Sequence, residues 1–365
     1  MLAYGPEMIR LHIGDTYQAP PYNIPISEQF INTYPDFNRY CNTFGINTLR
    51  KQLADKLNRD NHFQVHEDHI LISAGATNAL SAALHTILDN ADEILVLTPC
   101  WPIFPGLVNA VPAKMVEVPV YCQADKAFKI NLEEYLSGYL SPRTSAIYLN
   151  SPNNPSGTVL TRDQLIGLGR FASKHGLWIL SDEAYDGLTY DNNQDICIAS
   201  LPGFFERTIS VFTFSKLYMF AGLRLGYAVA AEHVIQNMNK TMVHQLYSPS
   251  TFAQQMMIQP VETRYKWMEK VREHYQTLRN IFFENIGIIQ SLPQAGYFIF
   301  FSIEPYIGTR TYNQIIGECL EKGVSVAPGN DFGKGFDYYI RICFTGEPAE
   351  KLEMGAKILK KILIG

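Results

Sequence analysis

The sequence lacks several features that would assign it to whole classes of protein. No apolar run approaches the roughly 20 residues of a membrane-spanning helix, and the chain does not open with a positive segment followed by an apolar one, as a secretory signal would. The formal net charge is -5, so we expect no basic surface for nucleic acid or an anionic membrane. These absences favour a cytoplasmic protein that binds neither nucleic acid nor membrane.

Paired cysteines and nucleotide-binding motifs are also missing. The six cysteines of the 365-residue chain form no C-x-x-C pair, and in a chain of this size we expect reduced thiols of a cytoplasmic protein. Neither G-x-G-x-x-G nor a P-loop follows a strand-like run, which argues against a dehydrogenase or another nucleotide-binding α/β enzyme. His62, His66 and His69 have the spacing of a helical metal site, but their segment is short and polar, so we expect a solvated surface and no metal.

The middle of the chain alternates strand-like and helix-like segments. Of its residues, 47% are hydrophobic, which allows one large core and a smaller second one. Predicted strands cover 70–73, 93–98, 146–150, 177–181, 209–214 and 224–230. A short helix is predicted over 26–32, and a long amphipathic helix over 262–291 is expected to lead into the smaller domain.

Lys216 directly follows an apolar run that is typical of a buried strand. A charged lysine is costly to bury, whereas desolvation lowers the pKa of the amine and suits a lysine that forms a Schiff base with a carbonyl. Thr213 lies three residues before it and Arg224 eight residues after it, so both side chains could reach one anion beside the lysine.

Four further candidates each follow a different predicted strand: Thr77, Trp101, Asn154 and Asp182. Ligands of open parallel α/β sheets bind at the carboxyl ends of the strands, so these residues and Lys216 are expected to share one site. Asp182 ends an apolar strand and therefore needs a partner. The small residues 74–76 precede a predicted helix, whose free backbone N–H groups could bind an anion.

Together these motifs resemble the class I/II aminotransferases, enzymes of fold type I that depend on pyridoxal phosphate (PLP). The resemblance rests on the Thr-x-Ser-Lys run with its following arginine, on the Asn-Pro-rich turn 150–158 and on the Asp-Glu-Ala-Tyr run 182–185. It extends from Tyr40 to Phe344, in the order of the family. Thr213 and Met219 depart from the residues that the family usually has there.

The resemblance implies a fold and a cofactor site. The expected fold is α/β, with a doubly wound, mostly parallel sheet in a large domain (45–262) and a smaller α+β domain (1–44 and 263–365). Lys216 is expected to form the Schiff base with PLP and Asp182 to pair with its pyridine nitrogen. The remaining expected cofactor contacts are Ala76, Thr77, Thr213 and Arg224 at the phosphate, Trp101 on the ring, and Asn154 and Tyr185 at the phenolic oxygen.

Substrate and partner residues follow from the same resemblance. Arg341 corresponds to the arginine that grips the substrate α-carboxylate, and Gly14 and Asn154 are expected to contribute to the substrate site. Tyr40 corresponds to a tyrosine that crosses a dimer interface, which implies a homodimer with shared sites.

The implied reaction moves an amino group from an L-amino acid to a 2-oxo acid, with Lys216, Asp182 and Tyr185 as the catalytic residues. A PLP-dependent lyase, synthase or oxygen-dependent oxidase acting on an amino acid would use the same residues and stays open. A non-catalytic PLP-binding regulator is disfavoured because Lys216, Asp182 and Arg341 are all present. The sequence does not select the amino donor or the 2-oxo acid.

Overall fold

A computed structural model describes residues 8–22, 32–34, 36–121 and 132–365. The helix predicted over 26–32 lies almost wholly outside these residues. The strands in chain order are β1 (Ile9–Arg10), β2 (Ile70–Ser73), β3 (Glu93–Thr98), β4 (Lys114–Pro119), β5 (Thr144–Asn150), β6 (Trp178–Asp182), β7 (Thr208–Thr213), β8 (Gly226–Val229), β9 (Phe298–Ser302), β10 (Val324–Ser325), β11 (Ala327–Pro328) and β12 (Tyr339–Cys343).

The α-helices in the same part of the chain lie between and beyond these strands. They are α1 (Asn47–Asp60), α2 (Ala76–Ile87), α3 (Phe104–Asn109), α4 (Leu132–Ser137), α5 (Arg162–His175), α6 (Glu232–Leu246), α7 (Thr251–Glu262), α8 (Met268–Ile286), α9 (Tyr312–Glu321) and α10 (Ala349–Ile364). None of these helices combines the length and the apolar character needed to cross a bilayer.

A seven-stranded sheet forms the centre of the fold, in the order β2-β8-β7-β6-β5-β3-β4. The strands from β7 to β4 pair in parallel, while β8 runs antiparallel to both of its neighbours, β2 and β7. Strand β2 therefore points the same way as β7. As a result, the carboxyl ends of six strands meet at one edge of the sheet, which is where ligands bind in such folds.

Helices cover both faces of this sheet, as a doubly wound fold requires. Along β3, Ile94 and Val96 belong to the core that includes residues of α2 and α6, whereas Leu95 and Leu97 belong to the core that includes residues of α5. Successive side chains of a strand point to opposite faces, so continuous apolar strands indicate burial on both sides. This agrees with the predicted fold class.

The remaining strands form two small sheets. Strands β11, β12 and β9 make an antiparallel sheet, and β1 pairs in parallel with β10. Through that pairing the N-terminal segment is attached to residues near the C-terminus. The predicted domain boundaries at residues 45 and 262 stay a prediction.

Helix α5 has local sequence signals at both of its ends. The side chain of Thr161 accepts from the backbone N–H of Gln164, whose side chain accepts in turn from the backbone N–H of Thr161. This reciprocal capping box satisfies two N–H groups that the helix itself leaves free. The helix ends at His175 and is followed by Gly176, which has the left-handed φ of 69° that glycine adopts without a steric penalty.

The predicted long helix over 262–291 is wrong in its bounds. Helix α7 ends at Glu262, a short 3₁₀ turn follows, and α8 begins only at Met268. In that turn Arg264 reaches back to Asp60, with Nε 2.6 Å from Oδ2. Helix α8 then ends at Ile286, and the left-handed φ of 62° at the following Gly287 stops the helical repeat.

Lys56 of α1 is buried, with 2% of its surface exposed, and it pairs with Asp186 after β6. Its amine also donates to Asn61 Oδ1 at 2.8 Å. Burial by itself lowers the pKa of Lys56, but the neighbouring carboxylate raises it well above its usual value. The lysine is therefore charged, and the pair joins α1 to the segment that follows β6.

We predict that Lys56→Met destabilises the fold by about 3–5 kcal/mol, because it leaves the Asp186 carboxylate without its charged partner. The shift of the urea unfolding midpoint measures this effect. Lys357→Met is the control: Lys357 pairs with Glu353 on α10, and 60% of its side chain is exposed, so a change within about 0.5 kcal/mol is expected. Equal shifts for the two variants would contradict the prediction.

Candidate functional site

A cavity of about 260 Å³ lies at the carboxyl edge of the central sheet. This is near the lower end of the roughly 300–1,000 Å³ usual for small-molecule sites. Every residue predicted for the site lines the cavity except Tyr40. The cavity also has lining residues that the sequence analysis did not identify: Leu80, Asn150, Ala184, Ser215, Ala221 and Phe298.

Lys216 lies three residues beyond the end of β7 and extends into this cavity. Its Nζ donates to the carbonyl oxygen of Gly14 at 2.6 Å. Burial lowers the pKa of this amine, and the charge of Arg341 acts in the same direction, while Asp15 opposes the shift. The neutral amine is therefore available at a lower pH than on an exposed lysine.

Tyr297 holds the main chain at this lysine. Its hydroxyl donates to the carbonyl oxygen of Lys216 at 2.7 Å, and its ring centroid lies 5.4 Å from Lys216 Nζ. Tyr297 itself is fully buried. Nothing in the sequence indicated this contact, because 81 residues separate the two.

Asp182 is the last residue of β6, and only 4% of its surface is exposed. Its Oδ2 accepts from the hydroxyl of Tyr148 at 2.9 Å, and its Oδ1 accepts from the backbone N–H of Ala184 at 3.1 Å. Burial raises the pKa of Asp182 to about 6, while the Tyr148 hydrogen bond and the charge of Lys216 lower it. The carboxylate predicted from the sequence is thus present, and Tyr148 is a partner that the sequence analysis missed.

Asn150 connects Asp182 to the irregular turn that follows β5. Its Nδ2 donates to the carbonyl oxygen of Asp182 at 2.8 Å, and its Oδ1 accepts from the backbone N–H of Asn154 at 2.7 Å. The side chain of Asn154 is buried and accepts from Arg341 Nη1 at 3.1 Å. Asn150 lies at the end of a predicted strand, and that position was the sequence signal that could have placed it in the site.

Arg341 on β12 reaches this cavity from the small antiparallel sheet. Its Nη2 donates to the carbonyl oxygen of His12 at 2.7 Å, and its guanidinium carbon lies 4.1 Å from the ring centroid of Phe298. Burial lowers the pKa of Arg341, but a guanidinium remains charged in proteins. Within the described ranges it has no carboxylate at ion-pair distance, and its Nε has no hydrogen-bond acceptor.

The opposite end of the cavity has the features of an anion site. Helix α2 begins at Ala76, after Gly75 with a left-handed φ of 82°, so its free N–H groups and dipole face this end. A Cβ on Gly75 would lie 3.0 Å from Arg224 Nη2, and one on Gly226 would lie 2.8 Å from the backbone nitrogen of Ala76. The left-handed φ requires glycine at position 75, and the close approach of main-chain atoms requires it at position 226.

Thr213 and Arg224 complete that end. The hydroxyl oxygen of Thr213 accepts from the backbone N–H of Ser215 at 3.1 Å. Arg224 has a left-handed φ of 52°, so the predicted strand over 224–230 begins two residues later, at Gly226. Its Nη1 donates to the carbonyl oxygen of Ala221 at 2.9 Å, which fixes the exposed guanidinium beside α2.

Trp101 and Tyr185 contribute aromatic surface. Trp101 follows β3 and is half-buried at the cavity wall. Tyr185 is 2% exposed, and its ring makes edge contacts with Tyr297 and Phe298 at centroid distances of 5.6 and 5.9 Å. Burial keeps the pKa of the Tyr185 phenol above its usual value, so the hydroxyl is a hydrogen-bond donor.

Tyr40 lies apart from the cavity of its own chain. It is 82% exposed, and its ring packs edge-on against Tyr247, itself 52% exposed, at 5.0 Å. The structure therefore does not bring Tyr40 together with the other predicted site residues of the same chain.

The histidines near β2 form a separate surface group. His62 and His66 are exposed and His69 is half-buried, and candidate ligand atoms of His66, His69 and Glu232 lie within 4.8 Å of one another. The Nδ1 atoms of His66 and His69 accept backbone N–H groups at 3.4 and 3.2 Å. A neutral imidazole that accepts at Nδ1 keeps its proton on Nε2 and has no lone pair there for a metal.

PLP, the cofactor implied by the resemblance, fits the residues around this cavity. A phosphate group suits the α2 N-terminus and Arg224, and a protonated ring nitrogen suits the buried carboxylate of Asp182. An aldehyde suits the amine of Lys216, whose lowered pKa favours the nucleophilic form.

Comparison with known proteins agrees with this geometry. The family model for aminotransferase class I and II matches residues 6–359. Aromatic-amino-acid aminotransferase 2 of Thermococcus litoralis is 31% identical over 371 residues, covering 99% of this chain and 93% of its own. The aspartate aminotransferase of Pyrococcus abyssi is 30% identical over 370 residues, covering 98% and 92%.

Solved structures lead to the same family. The aromatic aminotransferase from Pyrococcus horikoshii aligns with a TM-score of 0.90 at 31% identity, over 98% of this chain and 96% of its own. The predicted fold, an α/β fold of the PLP-dependent transferases, is confirmed.

We predict that Lys216 reacts with an amine-directed reagent at a lower pH than an exposed lysine. The lowered pKa leaves more of its amine neutral, and only the neutral amine is a nucleophile. Trace labelling of the cofactor-free protein across a pH series, with peptides quantified by mass spectrometry, gives a half-maximal pH for each lysine. Lys357 in the same sample is the internal control, and coincident profiles for the two lysines would refute the prediction.

Proposed function

The chain belongs to the class I and II aminotransferases and catalyses amino-acid transamination, and we propose that its reaction takes place in the cavity at the sheet edge, on PLP linked to Lys216. The family as a whole depends on PLP. One observation carries the proposal: Lys216, Asp182 and Arg341 line a single cavity, and none of them has an ion-pair partner in the described residues. Three ionisable groups that line one cavity without an ion-pair partner are suited to a ligand that carries the complementary groups.

In this proposal each part of the cofactor has its own protein partner. Lys216 would hold the aldehyde carbon covalently, and Asp182 would hold the proton on the ring nitrogen. Trp101 would pack on the ring face. The phosphate contacts would be Ala76 and Thr77 through the α2 N-terminus, with Thr213 and Arg224.

The substrate end would be formed by Arg341 together with Asn154 and Gly14. A carboxylate accepts two parallel hydrogen bonds from a guanidinium, and the unpartnered Nε of Arg341 is a donor still available for one of them. Asn154 already touches Arg341 and would also donate to the phenolic oxygen of the cofactor, as would the buried hydroxyl of Tyr185.

When bound, PLP supplies an electron sink that stabilises negative charge at the substrate α-carbon. Once the substrate amine has replaced it at the aldehyde carbon, Lys216 would take the proton from the α-carbon and later return it, which its lowered pKa favours because the base must be neutral. Asp182 would keep the ring nitrogen protonated. Arg341 would fix the α-carboxylate so that the α-hydrogen stays within reach of Lys216.

Amino acids and 2-oxo acids are the proposed substrates. The relatives are named for aromatic amino acids and for aspartate, which supports this class without selecting a member of it.

We further propose a homodimer in which Tyr40 reaches the site of the partner subunit. Its 82% exposure and its contact with the exposed Tyr247 support an interface at this surface. A cytoplasmic location is supported by the free thiols of Cys41, Cys100, Cys197, Cys319 and Cys343. The division into a large domain (45–262) and a small one (1–44 and 263–365) belongs to the same proposal.

The experiment is to record the visible absorption of the protein with PLP, before and after adding a panel of amino acids. We expect one or more amino acids to bleach the visible absorption band of the bound PLP and a 2-oxo acid to restore that band. Lys216→Ala should still bind PLP but should lose turnover, because the amine that moves the proton is gone. Near-normal turnover of this variant would contradict the proposal, and ammonia release or oxygen uptake without recovery of the band would indicate a lyase or an oxidase.

Arg341→Lys is expected to raise the KM for the amino acid roughly 10- to 100-fold, because an ammonium cannot make the two parallel bonds of a guanidinium. The absorption of bound PLP should be unchanged. Arg10→Lys is the control, since the side chain of Arg10 on β1 is 62% exposed. An unchanged KM in Arg341→Lys would remove Arg341 from the proposed carboxylate site.

A further inference from the structure

Asp182 has a protein partner that the proposed reaction does not use. Tyr148 lies on β5, directly opposite Leu180 of β6, so it is the diagonal neighbour of Asp182 on the same face of the sheet. Side chains as long as tyrosine reach across that diagonal. The Tyr148 hydroxyl donates to Asp182 Oδ2 at 2.9 Å.

The ring of Tyr148 is held so that this hydrogen bond is maintained. The residue has no exposed surface, and its ring stacks on Phe104 with a centroid distance of 3.6 Å and an interplanar angle of 19°. The neighbouring strands fix its backbone through parallel pairing on both sides. The hydroxyl therefore has a fixed direction, toward the carboxylate.

Tyr148 is also fixed as the donor of this hydrogen bond. Burial raises the pKa of Tyr148 well above its usual value, and the negative charge of Asp182 raises it further. The phenol thus keeps its proton and donates a hydrogen bond to the carboxylate. A hydrogen bond to an ionised group is about twice as strong as a neutral one, so it offsets part of the cost of burying the charge of Asp182.

We propose that Tyr148 is a positioning residue for Asp182: it keeps the carboxylate ionised and oriented, and thereby controls how tightly the chain binds the protonated ring nitrogen of PLP. This inference rests on the proposed function, in which Asp182 is the partner of that nitrogen. Tyr148 contributes no lining to the cavity, so its effect acts through Asp182.

Other ionisable groups interact with Asp182, and a variant that tests Tyr148 must leave them unchanged. The charge of Lys216 favours the ionised carboxylate. Glu183, Tyr121 and Tyr185 also interact with Asp182 electrostatically. Tyr148→Phe leaves all four in place and keeps the ring on Phe104, so it removes only the hydroxyl.

The experiment measures binding of PLP to the cofactor-free, full-length chain across a pH series, for wild type and Tyr148→Phe. The wild type should lose affinity as pH falls through the pKa of Asp182, because only the ionised carboxylate binds the protonated nitrogen. In Tyr148→Phe that loss should begin at a higher pH, since the carboxylate has lost a bond that favours its ionised form. Near neutral pH the affinity should be lower by roughly 10-fold or more.

An analogue of PLP with C–H in place of the ring nitrogen separates positioning from general damage. It cannot pair with Asp182 through a ring proton, so wild type and Tyr148→Phe should bind it equally. Tyr190→Phe is the matched control: Tyr190 is buried to a similar extent, and its hydroxyl donates to the carbonyl oxygen of Gly296 at 2.6 Å. This control should leave the pH profile for PLP unchanged.

Two results would overturn the inference: identical pH profiles for wild type and Tyr148→Phe, or an equal loss of affinity for PLP and for the analogue. A wild type that binds no PLP would instead overturn the proposed function. If Tyr148→Phe does not fold, a ring-fluorinated tyrosine at position 148 decides the matter. Its hydroxyl is a stronger hydrogen-bond donor, so the loss of PLP affinity should move to lower pH. An unchanged pH profile would refute the positioning role of Tyr148.

Discussion

Three ionisable side chains lose water around one cavity, and each is held by neutral protein groups. Lys216 donates to the carbonyl oxygen of Gly14, and Arg341 donates to His12 and to Asn154. Asp182 accepts from Tyr148 and from a backbone N–H. Neutral partners satisfy hydrogen-bonding groups without cancelling charge, so each side chain keeps an electrostatic attraction for a ligand of the opposite sign.

The Lys56–Asp186 pair is the opposite case in the same protein, because there a charged group is held by a partner of opposite charge. There a buried ammonium and a half-buried carboxylate neutralise each other, and the result is a contact that stabilises structure and leaves no charge available. The contrast explains why the buried Lys56 and the half-buried Lys216 have pKa values shifted in opposite directions. Burial acts on both, and the presence or absence of a carboxylate partner decides the outcome.

The sequence predicted those parts of the site that depend on strand ends. Asn154, Asp182 and Lys216 each lie at or just beyond the end of a buried strand, and parallel pairing brings such ends to one edge regardless of side-chain detail. Contacts made by main-chain atoms, such as the carbonyl oxygen of Gly14, have no signature in residue type. Tyr148 was equally hidden: within an apolar strand it is indistinguishable from a core residue until the register with β6 is known.

The predicted helix over 262–291 failed for a related reason. Its apolar spacing is correct from Val271 to Phe282, but periodicity does not report a long-range contact such as that of Arg264 with Asp60. Local patterns therefore located elements well and their ends less well.

Desolvation in the cavity shifts the pKa values of both Lys216 and Asp182. Desolvation disfavours the charged form of each group, so it lowers the pKa of the amine and raises that of the carboxyl, to about 6 for Asp182. Both pKa values thereby move toward neutral pH, where a small change in local charge is enough to shift a proton. Tyr148 opposes that shift at Asp182 only. The cavity therefore combines an amine that is readily neutral with a carboxyl that stays ionised, which is the pair of states that proton transfer at a substrate carbon requires.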